Sequence, residues 1–184
     1  VLVYRVFPHR EDAAAGSPGH PLYIHPDQGF GRWDNVELYR VLYVAGTATA
    51  AIGESFAHLS QWSQAMLPFP AIHGSRRRLV TYRLEAAHPL LDLDDARALL
   101  DRVLRPTDVV KRNRARTQQI ARGIFGESEW AGVSWWSMHR PEWTLHGLWE
   151  FDDIEVQGVA ELSGHPGVHE AAVALARSVD PDIA

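Results

Sequence analysis

The sequence predicts a mixed α+β fold: a single domain with a β-sheet core and flanking helices. Three observations point there. With 184 residues, 46 % apolar and 22 % charged, the chain is long enough to bury one sizeable core. Segments with strand-like alternation cluster towards its two ends. Helical patterns fill the middle, which favours one mixed domain over a repeating β–α unit. The domain is expected to span residues 1–184.

Residues 2–7 read as the first strand and include Tyr4 and Arg5. Residues 8–28, rich in Pro, Gly, Ala and His, read as a long loop. Residues 36–45 read as the second strand. Thr47 is placed to cap a helix over 48–64, with Ile52, Phe56, Leu59 and Ser63 at helical spacing and Pro68 and Pro70 ending it. Alternation predicts strands over 78–85 and, shorter, 89–93. Asp94 or Asp95 caps an amphipathic helix with the stripe Ala96, Leu99, Leu100, Val103 and Leu104, and Pro106 stops it. Thr107 or Asp108 starts the next helix, reaching Phe125. Its stripe mixes Val110, Asn113, Thr117, Ile120 and Ile124. Either this face borders a wet cavity, or its polar members bond back to their own helix. Strands follow over 131–137, 144–151 and 155–162, and 168–179 reads as a closing helix.

Composition removes several function classes. There is no cysteine, so disulfides, thiolate metal sites and cysteine nucleophiles are excluded. A net charge of −5, with ten histidines counted neutral, disfavours a general nucleic-acid binder. The sequence shows no signal-peptide pattern and no membrane-spanning run. A cytoplasmic location with no membrane partner is therefore expected.

Several residues stand out chemically. Arg32 follows Gly29 and Gly31 and precedes Trp33. Glycines let backbone approach a ligand, and a guanidinium can grip phosphate with two hydrogen bonds; spacing alone favours a solvated turn arginine stacked on Trp33. Glu54 follows Gly53 inside a predicted helix. A mid-helix glycine costs about 1 kcal/mol relative to alanine, so close approach of a ligand or a second backbone is one reason to keep it there. Gly53-Glu54-Ser55-Phe56-Ala57 lacks the last glycine of a serine-hydrolase elbow. His165 and His169, four apart, have glycine and proline between them and no acidic helix motif, so no metal site is expected. Arg76 to Arg78, and Lys111 with Arg112, Arg114 and Arg116, form two basic clusters, read as solvated faces. Trp135, Trp136, Trp143 and Trp149 read as core, with one free to flank a ring-binding slot.

Taken in order, these residues form a pattern. Tyr4-Arg5 opens a strand, Gly31-Arg32-Trp33-Asp34 follows a glycine, and Val41-Leu42-Tyr43-Val44-Ala45 leads into the helix carrying Glu54. Gly132-Val133-Ser134-Trp135-Trp136-Ser137 follows much later. This ordered set resembles the RES domain family, named for its arginine, glutamate and serine. The resemblance covers about residues 4–151, with 152–184 as a closing strand and helix.

The resemblance implies a fold related to the ADP-ribosyltransferase toxins and the role of toxin in a bacterial toxin–antitoxin pair, with an Xre-like antitoxin as protein partner. It implies consumption of NAD⁺ by hydrolysis or phosphorolysis of the nicotinamide–ribose bond, with inorganic phosphate as co-substrate in the second case. Some relatives instead transfer ADP-ribose to a protein. Carried over, Arg32, Glu54 and Ser137 look like catalytic residues, with Ser134 a rival for the serine. Arg5, Tyr43, Gly31 and Trp33 look like substrate-binding residues. Asp34 replaces the family's usual asparagine, and Phe30-Gly31 its Gly-Gly. These departures motivate one rival reading, a non-catalytic NAD-binding or regulatory module; the basic clusters motivate another, an RNA-interacting toxin.

The chemistry suits these residue types. Breaking the bond to nicotinamide builds positive charge on the ribose, which a placed carboxylate stabilises. No metal or resident cofactor is implied. No dinucleotide-binding glycine fingerprint occurs, so NAD⁺ is expected as substrate.

Overall fold

A computed structural model describes residues 1–67, 72–85, 89–180 and 183 of the chain. Seven strands form one sheet: β1 (Leu2–His9), β2 (Leu42–Ala45), β4 (Arg76–Arg83), β5 (Leu90–Asp92), β6 (Gly132–Trp136), β7 (Thr144–Leu148) and β8 (Glu155–Glu161). Their order is β5-β6-β7-β2-β1-β4-β8. Only the β5–β6 pair is parallel. A second, two-stranded ribbon pairs β3 (Gln61–Trp62) with β9 (Ser178–Val179). The helices are α1 (Ala48–Phe56), α2 (Ala96–Asp101), α3 (Pro106–Val110), α4 (Arg114–Gly126) and α5 (Pro166–Ala174). The expected α+β architecture, a mostly antiparallel sheet with flanking helices, is observed. Among the described residues no helix is long and apolar enough to cross a membrane.

Strand alternation splits the apolar residues into two cores. One face packs Leu79, Val133, Trp135 and Leu145 with Ala50, Ile52 and Phe56 of α1, Ile120 and Ile124 of α4, and Val168 and Ala171 of α5. The other face packs Val3, Phe7, Leu42, Val44, Val80 and Tyr82 under Leu22 and Ile24 of the 8–28 loop.

Several element boundaries differ from the sequence reading, each for a local reason. The strand expected over 36–45 begins only at Leu42. Asn35 folds the chain first, its carbonyl accepting from the N–H groups of Leu38 and Tyr39, while the Tyr39 hydroxyl donates to the Trp33 carbonyl. The helix capped by Thr47 ends at Phe56 rather than Gln64. Beyond it the chain turns so that Trp62 is buried against the Phe56 ring. Pro68 and Pro70 lie outside the described residues. The next helix is capped by Asp95 and ends at Asp101. Leu104 N–H reaches back to Leu99, with Val103 at a left-handed φ of 53°, a closure that leaves Leu100 and Val103 in solvent. The single helix expected over 107–125 is two, because Asn113 caps α4 afresh. Thr117 bonds back to Asn113 and Arg114, so it lines no wet cavity. The closing helix stops at Ala174, where Ala176 has φ 52° and the chain enters β9.

Gly53 has a specific reason. A Cβ there would come within 2.3 Å of the six-membered ring of Trp143, which the β6–β7 turn lays across α1. Gly53→Ala is expected to destabilise the protein by a net of up to ~2 kcal/mol, because overpacking of about 1–3 kcal/mol opposes a helix-propensity gain of about 1 kcal/mol. Urea unfolding measures this, and an unchanged or raised midpoint would mean Trp143 is free to move.

Candidate active site

Glu54 lies at the junction of two cavities. Tyr43, Glu54, Trp135 and Leu145 line both. One, of about 310 Å³, extends past Tyr4 and Ala51. The other, of about 540 Å³, extends past Arg32, Arg112 and Arg114 to Met138 and His139. Together they make one cleft over the helix-bearing face of the sheet.

Ser137 fixes the carboxylate. Its side chain is fully buried. Its hydroxyl oxygen accepts the N–H groups of His139 (2.9 Å) and Arg140 (3.2 Å) and donates its own hydrogen to Glu54 Oε1. With both acceptor positions occupied by N–H donors, the hydroxyl hydrogen is committed to the carboxylate. Glu54 Oε2 has no hydrogen-bond partner among the described residues.

The glycine turn forms the opposite wall. Asp34, 5 % exposed, accepts the Gly31 N–H at 2.6 Å and the Tyr43 hydroxyl at 2.7 Å. Trp33 N–H donates to the same hydroxyl at 2.9 Å. A Cβ on Gly31 would collide with Asp34 and the Tyr43 hydroxyl, so the turn closes only with glycine. Burial, then the charge of Asp34, pushes the Tyr43 phenol well above its ordinary range, keeping it a donor. Arg32 is half-buried. Its Nη1 donates to the carbonyls of Val109 at 2.6 Å and Lys111 at 2.7 Å. Burial and then the charge of Arg114 lower its proton affinity, while Tyr43 and Glu54 raise it.

A family model described as RES domain matches residues 2–165. The chain belongs to the RES domain family. No curated protein matches the sequence. A chain in the crystal structure of the M. tuberculosis MbcT-MbcA toxin-antitoxin complex is similar in fold, with a TM-score of 0.62 and 17 % identity over 93 % of this chain and 88 % of that one.

In this RES domain, Arg32, Tyr43, Glu54 and Ser137 come together with Gly31 around one cleft. Trp33 and Ser134 lie elsewhere, and Arg5 lines the smaller cavity with its guanidinium turned away from it. Arg5 alternates with Tyr4, so its guanidinium turns to the opposite face and donates to the carbonyls of Pro21 (3.4 Å) and Tyr23 (3.3 Å) of the 8–28 loop. Trp33 is fully buried, edge-on to Trp135 at 5.3 Å. Ser134 is one strand residue out of phase with Trp135, and its hydroxyl donates to Asp92 at 3.2 Å. Tyr4, Trp135, Arg112 and Arg114 border the cleft without having been singled out as ligand contacts by the sequence. For Trp135 the signal was available: it has the same parity as Ser137. Of the two basic clusters, Arg76 to Arg78 lies apart, Arg78 pairing with Glu161 and Arg77 stacking on Phe56 at 5.3 Å, whereas Arg112 and Arg114 of the second border the cleft rather than forming only a solvated face.

Asp34→Ala removes the acceptor of two part-buried donors. It is expected to cost about 2 kcal/mol in urea unfolding. A loss below about 0.5 kcal/mol would mean that Tyr43 and Gly31 find other partners.

His146 is expected to give the fold a pH dependence. It pairs across the strands with Ser134, and its Nδ1 has no hydrogen-bond partner among the described residues. Burial lowers its proton affinity below the ordinary 6.5, with the charge of Asp92 opposing. The unfolded chain then binds the proton more readily, so this contribution is complete above pH 6.5 and is lost as pH falls through the depressed folded value. Urea unfolding at pH 7.5 and 5 should show a smaller acid loss for His146→Gln than for wild type. Equal losses would assign the acid sensitivity to other groups.

Proposed function

We propose that this RES domain consumes NAD⁺ by cleaving the nicotinamide–ribose bond, and that it acts as the toxin of a bacterial toxin–antitoxin pair. The observation that carries the enzymatic reading is Glu54. It is a lone carboxylate at a cleft junction, with one oxygen held by Ser137 and the other without a protein partner. Family membership supports the NAD⁺ substrate. Fold similarity to a chain of a toxin–antitoxin complex supports an antitoxin partner, expected to carry an Xre-like region.

In the reaction the bond between ribose C1′ and the nicotinamide nitrogen breaks, and its electron pair leaves with the nicotinamide. C1′ takes on oxocarbenium character, which the Glu54 carboxylate stabilises. An oxygen nucleophile, from water in hydrolysis or from phosphate in phosphorolysis, then bonds to C1′ and loses its proton to solvent. Ser137 holds Glu54 in place. Tyr43 and Trp135 offer aromatic surface to a ring. Arg32 supplies positive charge on the side away from Tyr4. No step calls for a metal or a resident cofactor. Asp34, the departure from the family's asparagine, accepts two donors with its two oxygens, so the turn it closes is intact.

Purified protein incubated with NAD⁺, with and without inorganic phosphate, and analysed by mass spectrometry tests this reading. Nicotinamide with ADP-ribose would identify a glycohydrolase, and a phosphorylated ADP-ribose a phosphorylase. Glu54→Gln should lower turnover on the order of 100-fold or more while leaving the protein folded. Wild-type turnover in that variant would remove Glu54 from the chemistry. Intact NAD⁺ with folded wild-type protein would redirect the reading to transfer of ADP-ribose onto a protein.

A further inference from the structure

Arg32 is the residue that sequence assigns to phosphate, yet its Nη1 is committed to protein. The carbonyls it holds, Val109 and Lys111, lie at the penultimate residue and the C-cap of α3. A helix end leaves such carbonyls without partners, and Arg32 satisfies two of them from 77 and 79 positions away in sequence. Two more ties fix the same wall. Gln118 donates to the carbonyls of Gly29 at 3.0 Å and Gly31 at 2.9 Å, and Asn35 donates to the carbonyl of Gln118 at 3.0 Å. Segment 109–118 is therefore strapped to the glycine turn at three points.

That segment presents Arg112 and Arg114 to the larger cavity. Both are exposed, and neither has an ion pair or side-chain hydrogen bond among the described residues. With Arg32 they make three guanidiniums around a cavity whose one acidic lining residue, Glu54, is already engaged by Ser137. Arg32 and Arg114 lie close enough for the charge of one to disfavour protonation of the other. Unpaired guanidiniums converging on a cavity suit a multiply charged oxyanion, which each can hold through two parallel N–H donors.

We propose that Arg112 and Arg114 form a subsite for a phosphate-bearing anion, and that Arg32 is the positioning residue that holds their segment in place. The inference rests on the NAD⁺-consuming reading and names the end of the cleft that takes the phosphates. The anion is either the pyrophosphate of the dinucleotide or free phosphate entering as nucleophile.

The test compares wild type, the double variant Arg112→Gln with Arg114→Gln, and Arg32→Gln, using intact full-length chains of confirmed fold. Calorimetric titration with inorganic pyrophosphate and inorganic phosphate gives a readout independent of turnover. The double variant should bind the anion at least tenfold more weakly. In kinetics its KM for NAD⁺ should rise tenfold or more, exceeding any fall in kcat. The loss on NAD⁺ should also exceed the loss on nicotinamide riboside, which carries the same bond without phosphate. A rise in the KM for phosphate with none for NAD⁺ would support the subsite and assign it to free phosphate. Arg32→Gln should speed amide hydrogen exchange over 109–114 and weaken pyrophosphate binding. Equal anion affinity in wild type and the double variant would overturn the subsite, and unchanged exchange in Arg32→Gln would overturn the positioning role. If wild type binds pyrophosphate and the double variant does not, but NAD⁺ is never cleaved, the proposed reaction fails while the anion subsite stands.

Discussion

The packing of Trp143 on Gly53 is the contact on which the site depends. It lets the turn between β6 and β7 lie against α1 with no side chain intervening. The same turn is closed by Ser137 N–H to the Trp143 carbonyl at 2.8 Å and by Trp143 N–H to the Arg140 carbonyl at 2.9 Å. Once the indole is seated, Ser137 comes to rest one residue along α1 from Gly53, at Glu54. The Ser137–Glu54 hydrogen bond, across 83 positions of sequence, is thus set by a packing contact beside it. The cost of a helical glycine is offset by a geometry that alanine would block.

The other wall is organised by donors rather than by packing. Asp34 gathers Gly31 and Tyr43, which fixes the turn that launches Arg32. Arg32 then reaches across to the end of α3, where what the sequence pattern presents as one continuous helix stops and Asn113 caps α4 afresh. Taking the carbonyls of Val109 and Lys111 stabilises a helix end that would otherwise face the cavity unsatisfied. The chain break at 111–113 is what turns Arg112 and Arg114 towards the cleft instead of leaving them on a helix surface.

What was legible in the sequence was local. Thr47 caps α1 as its spacing suggests, with Ala50 N–H donating to its hydroxyl at 3.1 Å. Asp95 caps α2. The mixed architecture followed from where strand-like and helical patterns lie. The ordered motifs brought out Arg32, Tyr43, Glu54 and Ser137, which do share a cleft. What was not legible depended on partners far away in sequence. Strand parity separates Arg5 from Tyr4 and Ser134 from Trp135, but parity alone does not say which face carries the cleft. The end of α3 is held by Arg32 from far away in sequence, and the shortened second strand follows a turn in which Tyr39 reaches Trp33. The amphipathic stripe over 96–104 failed near its end, where a Schellman closure leaves Leu100 and Val103 outside while Leu104 packs against the core.

The charge pattern of the cleft has a consequence for catalysis. Three guanidiniums and one carboxylate border the larger cavity. A reaction that develops positive charge at ribose C1′ would be opposed by that surplus. Two unit charges about 4 Å apart repel by roughly 4 kcal/mol at an effective dielectric of 20. The surplus becomes favourable only when an anion occupies it, because the bound phosphates neutralise the arginines and leave Glu54 as the dominant charge at C1′. Phosphate binding would then contribute to the rate as well as to affinity. Under the proposed reaction, that coupling would let one carboxylate, oriented by one serine, suffice in a site so rich in arginine.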